Sequence, residues 1–138
     1  MLWKNNVSLE YLNQMSVNTL NETLSIEFIS IGNDFLVAKM QVDHRHRQPA
    51  GLLHGGANVV LAETLGSVAS YLATEDPMQK KIVGIEINAN HLRAVKEGYV
   101  YGKVTQIKVG KTLHVWQIEI KDEKEQLTCV SRITVGVF

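Results

Sequence analysis

One stretch constrains this chain more than any other: His54–Thr74, HGGANVVLAETLGSVASYLAT, in which Glu63 is the only formal charge from Gly55 to Thr74. Ala57, Leu61, Leu65, Val68 and Leu72 recur at helical spacing, and Val59, Val60, Ala62 and Ala69 fill much of the rest. The pattern predicts a helix that is apolar nearly all round. Such a helix is buried, and it needs other chain wrapped around it. About 18 residues at ~1.5 Å rise make a rod of roughly 27 Å. Asn58, Glu63, Thr64, Ser67 and Ser70 interrupt the run. Moving them from water into lipid would be costly, so the rod is not a membrane span.

Gly55–Gly56 marks the expected start. Two glycines permit a sharp turn and a close approach to the backbone. The first amides of a helix lack intrahelical acceptors and sit at the positive end of the macrodipole. Glu63, Ser67 and Ser70 follow at i, i+4 and i+7, which draws one polar stripe along the rod. Exposed amides at a helix start, with a lone carboxylate two turns on, are ingredients of an acyl-transfer site. The plainer alternative is a solvated Glu63 on a half-exposed helix, since most isolated glutamates are surface residues.

A chain of 138 residues is expected to be a single domain with a core of its own. Fourteen basic and fourteen acidic residues balance. No electrostatic footprint for nucleic acid or an anionic membrane results. Cys129 is the only cysteine, which excludes an internal disulfide and a cysteine-based zinc cluster. Met1–Ser8 has no apolar h-region, so a cytoplasmic location is expected.

In chain order, Ser8–Met15 predicts a short helix with Ser8 as N-cap and Leu9, Leu12 and Met15 on one side. Leu24–Ile31 alternates as a strand, Gly32–Asn33–Asp34 turns, and Phe35–Val42 completes a hairpin. Asp43–Gly51 is a loop that carries His44, His46, Gln48 and Pro49. After the long helix come four strand-like runs: Ile82–His91, Gly98–Val109, Thr112–Lys121 and Leu127–Val137. Runs of about ten residues at ~3.3 Å span roughly 33 Å, longer than the helix, so a sheet can curl around it. The expectation is α+β: a hairpin, a long buried helix and an antiparallel meander. Sheet edges need managing, and pairing two protomers edge to edge would do so.

This order of elements, with QPAGLLHGGANVVLAETLGSVAS and GIEINANHLR, resembles the hotdog-fold acyl-CoA thioesterases that carry a glutamate on the central helix. Within them, the opening MLWK, the QPxGxLHGG element, NAxHxR and VWQIEI are most similar to the 1,4-dihydroxy-2-naphthoyl-CoA hydrolase group of menaquinone biosynthesis. The resemblance implies one hotdog domain over 1–138 that hydrolyses an acyl-CoA ester. Coenzyme A is then part of the substrate, and no separate cofactor is needed. It implies Glu63 as nucleophile or general base, and the Gly55 amide as the group that polarises the thioester carbonyl. Gln48 and His54 would position the carbonyl or the attacking water, and Ser67 would sit near the carboxylate with Thr64 beside it. His91 and Arg93 would lie beside the thioester and the CoA arm. It also implies a homodimer, or a dimer of dimers, with sites at the subunit interface where Gly55 and Glu63 come from different chains.

The residues themselves leave alternatives. His54 could be a mere helix-flanking residue, Gln48 a solvated loop residue, Ser67 a small packing residue and His91 a satisfied strand histidine. Burial would raise the Glu63 pKa, opposed by Ser67 and nearby amides. Arg93 is the stronger phosphate candidate because a guanidinium binds bidentately; Lys96, Lys108 and Lys111 would form a looser clamp or an ordinary surface. His44 and His46 lack a third ligand and have arginine neighbours, so no metal site is expected. Cys129 reads as a buried small hydrophobe, and Trp116 and Tyr99 as packing or interface residues. Two rival functions remain: a hotdog dehydratase for 3-hydroxyacyl thioesters, which would keep the thioester intact, and an acyl-CoA-binding protein without turnover.

Overall fold

The long helix predicted from the sequence exists, and both of its ends are capped by side chains. In the computed structural model, which describes residues 1–138, α3 spans Gly55–Ala73. His54 is its N-cap; the ring Nδ1 accepts from the Gly56 amide at 2.8 Å. At the other end, Asn5 reaches across from the N-terminal arm. Its Nδ2 donates to the Thr74 carbonyl at 2.7 Å and to that of Tyr71 at 3.1 Å, so carbonyls that a helix end leaves orphaned find a donor.

The preceding elements are α1 (Leu9–Gln14), α2 (Leu20–Thr23), β1 (Ile26–Ile31) and β2 (Phe35–Val42). Ser8 caps α1 as expected, accepting from the Tyr11 amide, but Met15 is exposed while Leu12 is buried. The strand expected from Leu24 begins at Ile26, because Leu20–Thr23 forms α2 and Ser25 takes a positive φ of 56°. After α3 come β3 (Ile82–His91), β4 (Gly98–Val109), β5 (Leu113–Lys121) and β6 (Leu127–Val137). No helix is long and apolar enough to cross a membrane.

The six strands form one antiparallel sheet in the order β1-β2-β4-β5-β6-β3. The meander is therefore three strands, β4-β5-β6, rather than four. β3 crosses to the far edge and pairs only with β6, with His91 opposite Cys129 and Ile82 opposite Val137. Its alternation breaks at an irregularity between Gly84 and Glu86, which leaves Ile85 exposed beside exposed Val83. An insertion of one residue turns the following side chains over and ends the simple two-residue period.

The sheet wraps α3, whose Leu61, Ala62, Leu65, Ala69 and Leu72 are wholly buried. Gly66 sets how near the helix lies to the sheet, since a methyl group there would run into Ile133 Cγ2. The helix is not buried all round, however. Glu63 is exposed, and Val60, Thr64, Ser67, Val68 and Tyr71 are half-buried on one stripe. Near its C-terminus, Ser70 pins the helix to β5: its Oγ accepts from Trp116 Nε1 at 2.7 Å and lies 3.0 Å from His114 Nδ1. All three side chains are buried, and Trp3 stacks on Trp116 with ring centroids 6.1 Å apart.

Candidate active site

The first turn of α3 opens onto a cleft of about 340 Å³. Gln48, Gly55, Asn58, His91 and Arg93 are among the residues that line it. Four of these five are residues singled out from the sequence, brought from a loop, a helix start and the end of β3. The Gly55 N–H has no acceptor within the chain, as expected for a first-turn amide at the positive end of the helix dipole. His91 packs directly over Gly55: a Cβ there would lie 2.6 Å from His91 Nε2. Only a glycine allows the ring this approach.

Gln48 sits in a tight loop. Its backbone amide donates to the Leu52 carbonyl at 2.8 Å, and its side-chain oxygen accepts from the Ala50 amide. The carboxamide nitrogen remains as the donor available to the cleft. His54 is exposed and serves as the helix cap. Arg93 is exposed at the cleft's rim. A second groove continues from it, lined in part by Arg47, Arg93, Lys96 and Lys124. Arg47 was absent from the expected set. Its side chain donates to the Lys96 carbonyl at 3.2 Å, a contact across 49 residues that no local pattern encodes.

Glu63 lies elsewhere. Eight residues past Gly55 on one helix is about 12 Å along the axis, and Glu63 does not line the cleft. Its carboxylate stands beside the edge strand: a Cβ on Gly84 would lie 3.7 Å from Glu63 Oε2. The burial expected for Glu63 is absent within the chain, because α3 turns its polar stripe away from the concave face of the sheet. Ser67 is half-buried one turn further on, and Thr64 donates to Asn21 Oδ1 of α2 at 2.9 Å.

Lys108 and Lys111 are exposed at the opposite end of the sheet from Arg93. Lys108 aligns with Val115 and so with Thr134, whereas the Arg93 amide bonds to the Thr128 carbonyl. Six residues of β6 separate these levels, about 20 Å.

Other candidates are absorbed by structure. His46 is buried with Nε2 at 2.6 Å from the Leu24 carbonyl and Nδ1 at 3.2 Å from Asp43, while His44 is exposed. The Arg45 guanidinium beside Asp43 holds that carboxyl well below the usual range. Cys129 is a buried thiol whose pKa burial pushes up to about 11, so it carries no thiolate at neutral pH.

A helix inside a curled six-stranded sheet, with a free amide at the helix start, has relatives. The family model described as the thioesterase superfamily matches residues 50–129. The chain is 52% identical over 138 residues to a 1,4-dihydroxy-2-naphthoyl-CoA hydrolase of Escherichia coli (strain K12), covering 100% of each. It is 48% identical to the proofreading thioesterase EntH of Cronobacter turicensis, over 100% of this chain and 99% of that one. The crystal structure of a thioesterase from Haemophilus influenzae superposes with a TM-score of 0.96 at 48% identity, covering 100% of this chain and 95% of that one. The chain belongs to the thioesterase superfamily, with its hotdog fold. Its reaction class is thioester hydrolysis.

Proposed function

We propose that the protein is a single-domain, cytoplasmic acyl-CoA thioesterase that releases CoA and a free acid from an aryl or similarly bulky acyl-CoA. The Escherichia coli relative makes 1,4-dihydroxy-2-naphthoyl-CoA the leading candidate substrate. The observation that carries the reading is the Gly55 N–H, without an acceptor, at a cleft that also holds Gln48, His91 and Arg93. Thioester hydrolysis develops negative charge on the carbonyl oxygen. A preorganised amide aimed at that oxygen is typically worth about 10²–10³ in rate.

The carboxylate comes from a second copy. β3 is a sheet edge with exposed Val83 and Ile85. Antiparallel pairing of β3 with its own copy about a two-fold axis removes that edge. The axis at mid-strand sets Gly84 of one chain near Ala89 of the other, and Ile82 near His91. The partner's Glu63, which stands by Gly84, is thereby carried toward the Gly55–His91 cleft. The same operation carries the Lys108–Lys111 end of the partner toward Arg93, where separated lysines gain a role on the CoA phosphates. Such dimers can pair again into a dimer of dimers.

In the assembled site the thioester oxygen rests on the Gly55 amide, with Gln48 and His54 positioning the carbonyl or the water, and Ser67 and Thr64 flanking the carboxylate. Glu63 then either attacks the carbonyl carbon, forming a mixed anhydride as the CoA thiolate leaves, or takes a proton from the attacking water. In the first route water then cleaves the anhydride and frees the Glu63 carboxylate; in both, the water's hydroxyl ends on the acid and its proton on the CoA thiol.

The test is thiol release from a panel of aryl, phenylacetyl and straight-chain acyl-CoA esters, with wild type and Glu63→Gln in parallel. Expected is fast release from aryl esters and a loss of about 10³-fold or more in the variant, while ester binding persists. Near-normal turnover by Glu63→Gln, a product that keeps its thioester, or tight binding without release would each contradict the reading.

A further inference from the structure

One buried polar side chain lining the cleft has no role in the chemistry proposed above. Asn58 lies in the first turn of α3, is 4% exposed, and has an Oδ1 with no hydrogen-bond partner. Buried polar atoms are nearly always paired, so an orphan calls for a reason. The amide's one partner is His91: Asn58 Nδ2 lies 3.4 Å from His91 Nδ1.

A carboxamide nitrogen only donates. His91 Nδ1 must therefore present its lone pair, and the proton of the neutral ring sits on Nε2. That vertex faces the space a side chain at Gly55 would fill. A Cβ there would be 2.6 Å from Nε2, nearer than to the adjoining ring carbons at 3.0 and 3.1 Å. The Gly55 N–H, also without an acceptor, borders the same space. An oxygen placed beside Gly55 meets two donors, provided that Nε2 carries the proton.

We infer that Asn58 is a positioning residue that fixes the His91 proton on Nε2, so that His91 Nε2–H and Gly55 N–H together hold the thioester oxygen. The inference rests on the reading of this cleft as the thioester site. Asn58 acts through His91. Its orphaned Oδ1 is the cost of turning the amide's donor, rather than its acceptor, toward the ring.

The ring nitrogens of His91 report the proton directly. We would record ¹⁵N histidine spectra of the full-length, unliganded protein, assigning His91 by its loss in His91→Gln. Expected is a lone-pair Nδ1 and a protonated Nε2. Asn58→Asp is nearly isosteric but can only accept, so in the neutral ring it draws the proton to Nδ1. Its kcat on the best CoA ester should fall by about 10²-fold or more with KM changed little. Asn58→Ala leaves the proton free to choose, and its loss should be smaller. A packing role predicts the reverse order, since alanine opens a cavity and aspartate does not. A proton on Nδ1 in wild type, or a larger loss in Asn58→Ala than in Asn58→Asp, overturns the inference. The wild-type spectrum decides even if a variant fails to fold. It is also independent of turnover: Glu63-dependent thiol release with a protonated Nδ1 sinks this inference alone, whereas turnover that survives Glu63→Gln sinks the mechanism it rests on.

Discussion

The two ends of α3 treat their polar groups differently. At the last turn, Asn5 donates to the carbonyls of Tyr71 and Thr74, and Ser70 Oγ accepts from Trp116 and meets His114. Thr74 Oγ1 donates back to the Ser70 carbonyl at 2.6 Å. At the first turn, the Gly55 N–H and Asn58 Oδ1 have no partner. A chain satisfies its own groups where their task is to hold the fold, because each buried unmade bond costs about 1–3 kcal/mol. The Gly55 N–H, left open at the cleft, is available to a substrate, and Asn58 gives up an acceptor to orient the ring beside it.

Substitutions at the first turn should therefore damage catalysis and spare stability, and those at the last turn the reverse. After Glu63→Gln, the largest loss should follow Gly55→Ala. Its Cβ displaces His91 and blocks the carbonyl's place, so kcat/KM for an aryl-CoA ester should drop about 10²–10³-fold. Thermal unfolding should shift by only a few degrees. Ser70→Ala should do the opposite. It removes the acceptor of Trp116 Nε1 and one partner of His114, costing about 1–3 kcal/mol in denaturant titration with kcat within about threefold of wild type. A Ser70→Ala enzyme of normal stability would erase the contrast.

A smaller effect concerns acid. Burial holds the His114 pKa below its ordinary value, against an opposing hydrogen bond to the Gly110 backbone. Below about pH 6.5 the unfolded chain binds a proton that the folded one refuses. Stability from this group is thus complete above that pH and falls as pH drops toward the folded-state value. Melting temperatures from pH 7 to 5 should decline less in His114→Gln than in wild type; equal slopes would assign the acid sensitivity elsewhere.

How far the sequence shows this contrast depends on range. α3, β2, β3, β4 and β6 were legible to their ends, because periodicity and turn residues are local. The place of β3 beside β6 was not, since strand partners are chosen by tertiary closure. Gly55, Gln48, His91 and Arg93 line one cleft although they are far apart in the chain, and no local pattern encodes that meeting. The sequence leaves Glu63 open between a buried site and a solvated stripe, because an apolar composition does not say which side of a helix the sheet leaves uncovered; within the chain it is exposed. Asn5 went unnoticed in a polar arm whose target is 66 residues or more away, and Asn58 passed as an interruption of the apolar run. Its importance lies in a missing partner, and only coordinates display that.

If Gly55 and Glu63 act across two chains, mixing defective subunits rebuilds a working site. Gly55→Ala and Glu63→Gln homo-oligomers, each nearly inactive, are denatured together, refolded and assayed for thiol release. With random pairing, half the dimers are mixed and each mixed dimer rebuilds one intact site, so activity should recover to about a quarter of wild type. Recovery to that level supports the shared site. A mixture no more active than its components would place Gly55 and Glu63 in separate roles and contradict the account.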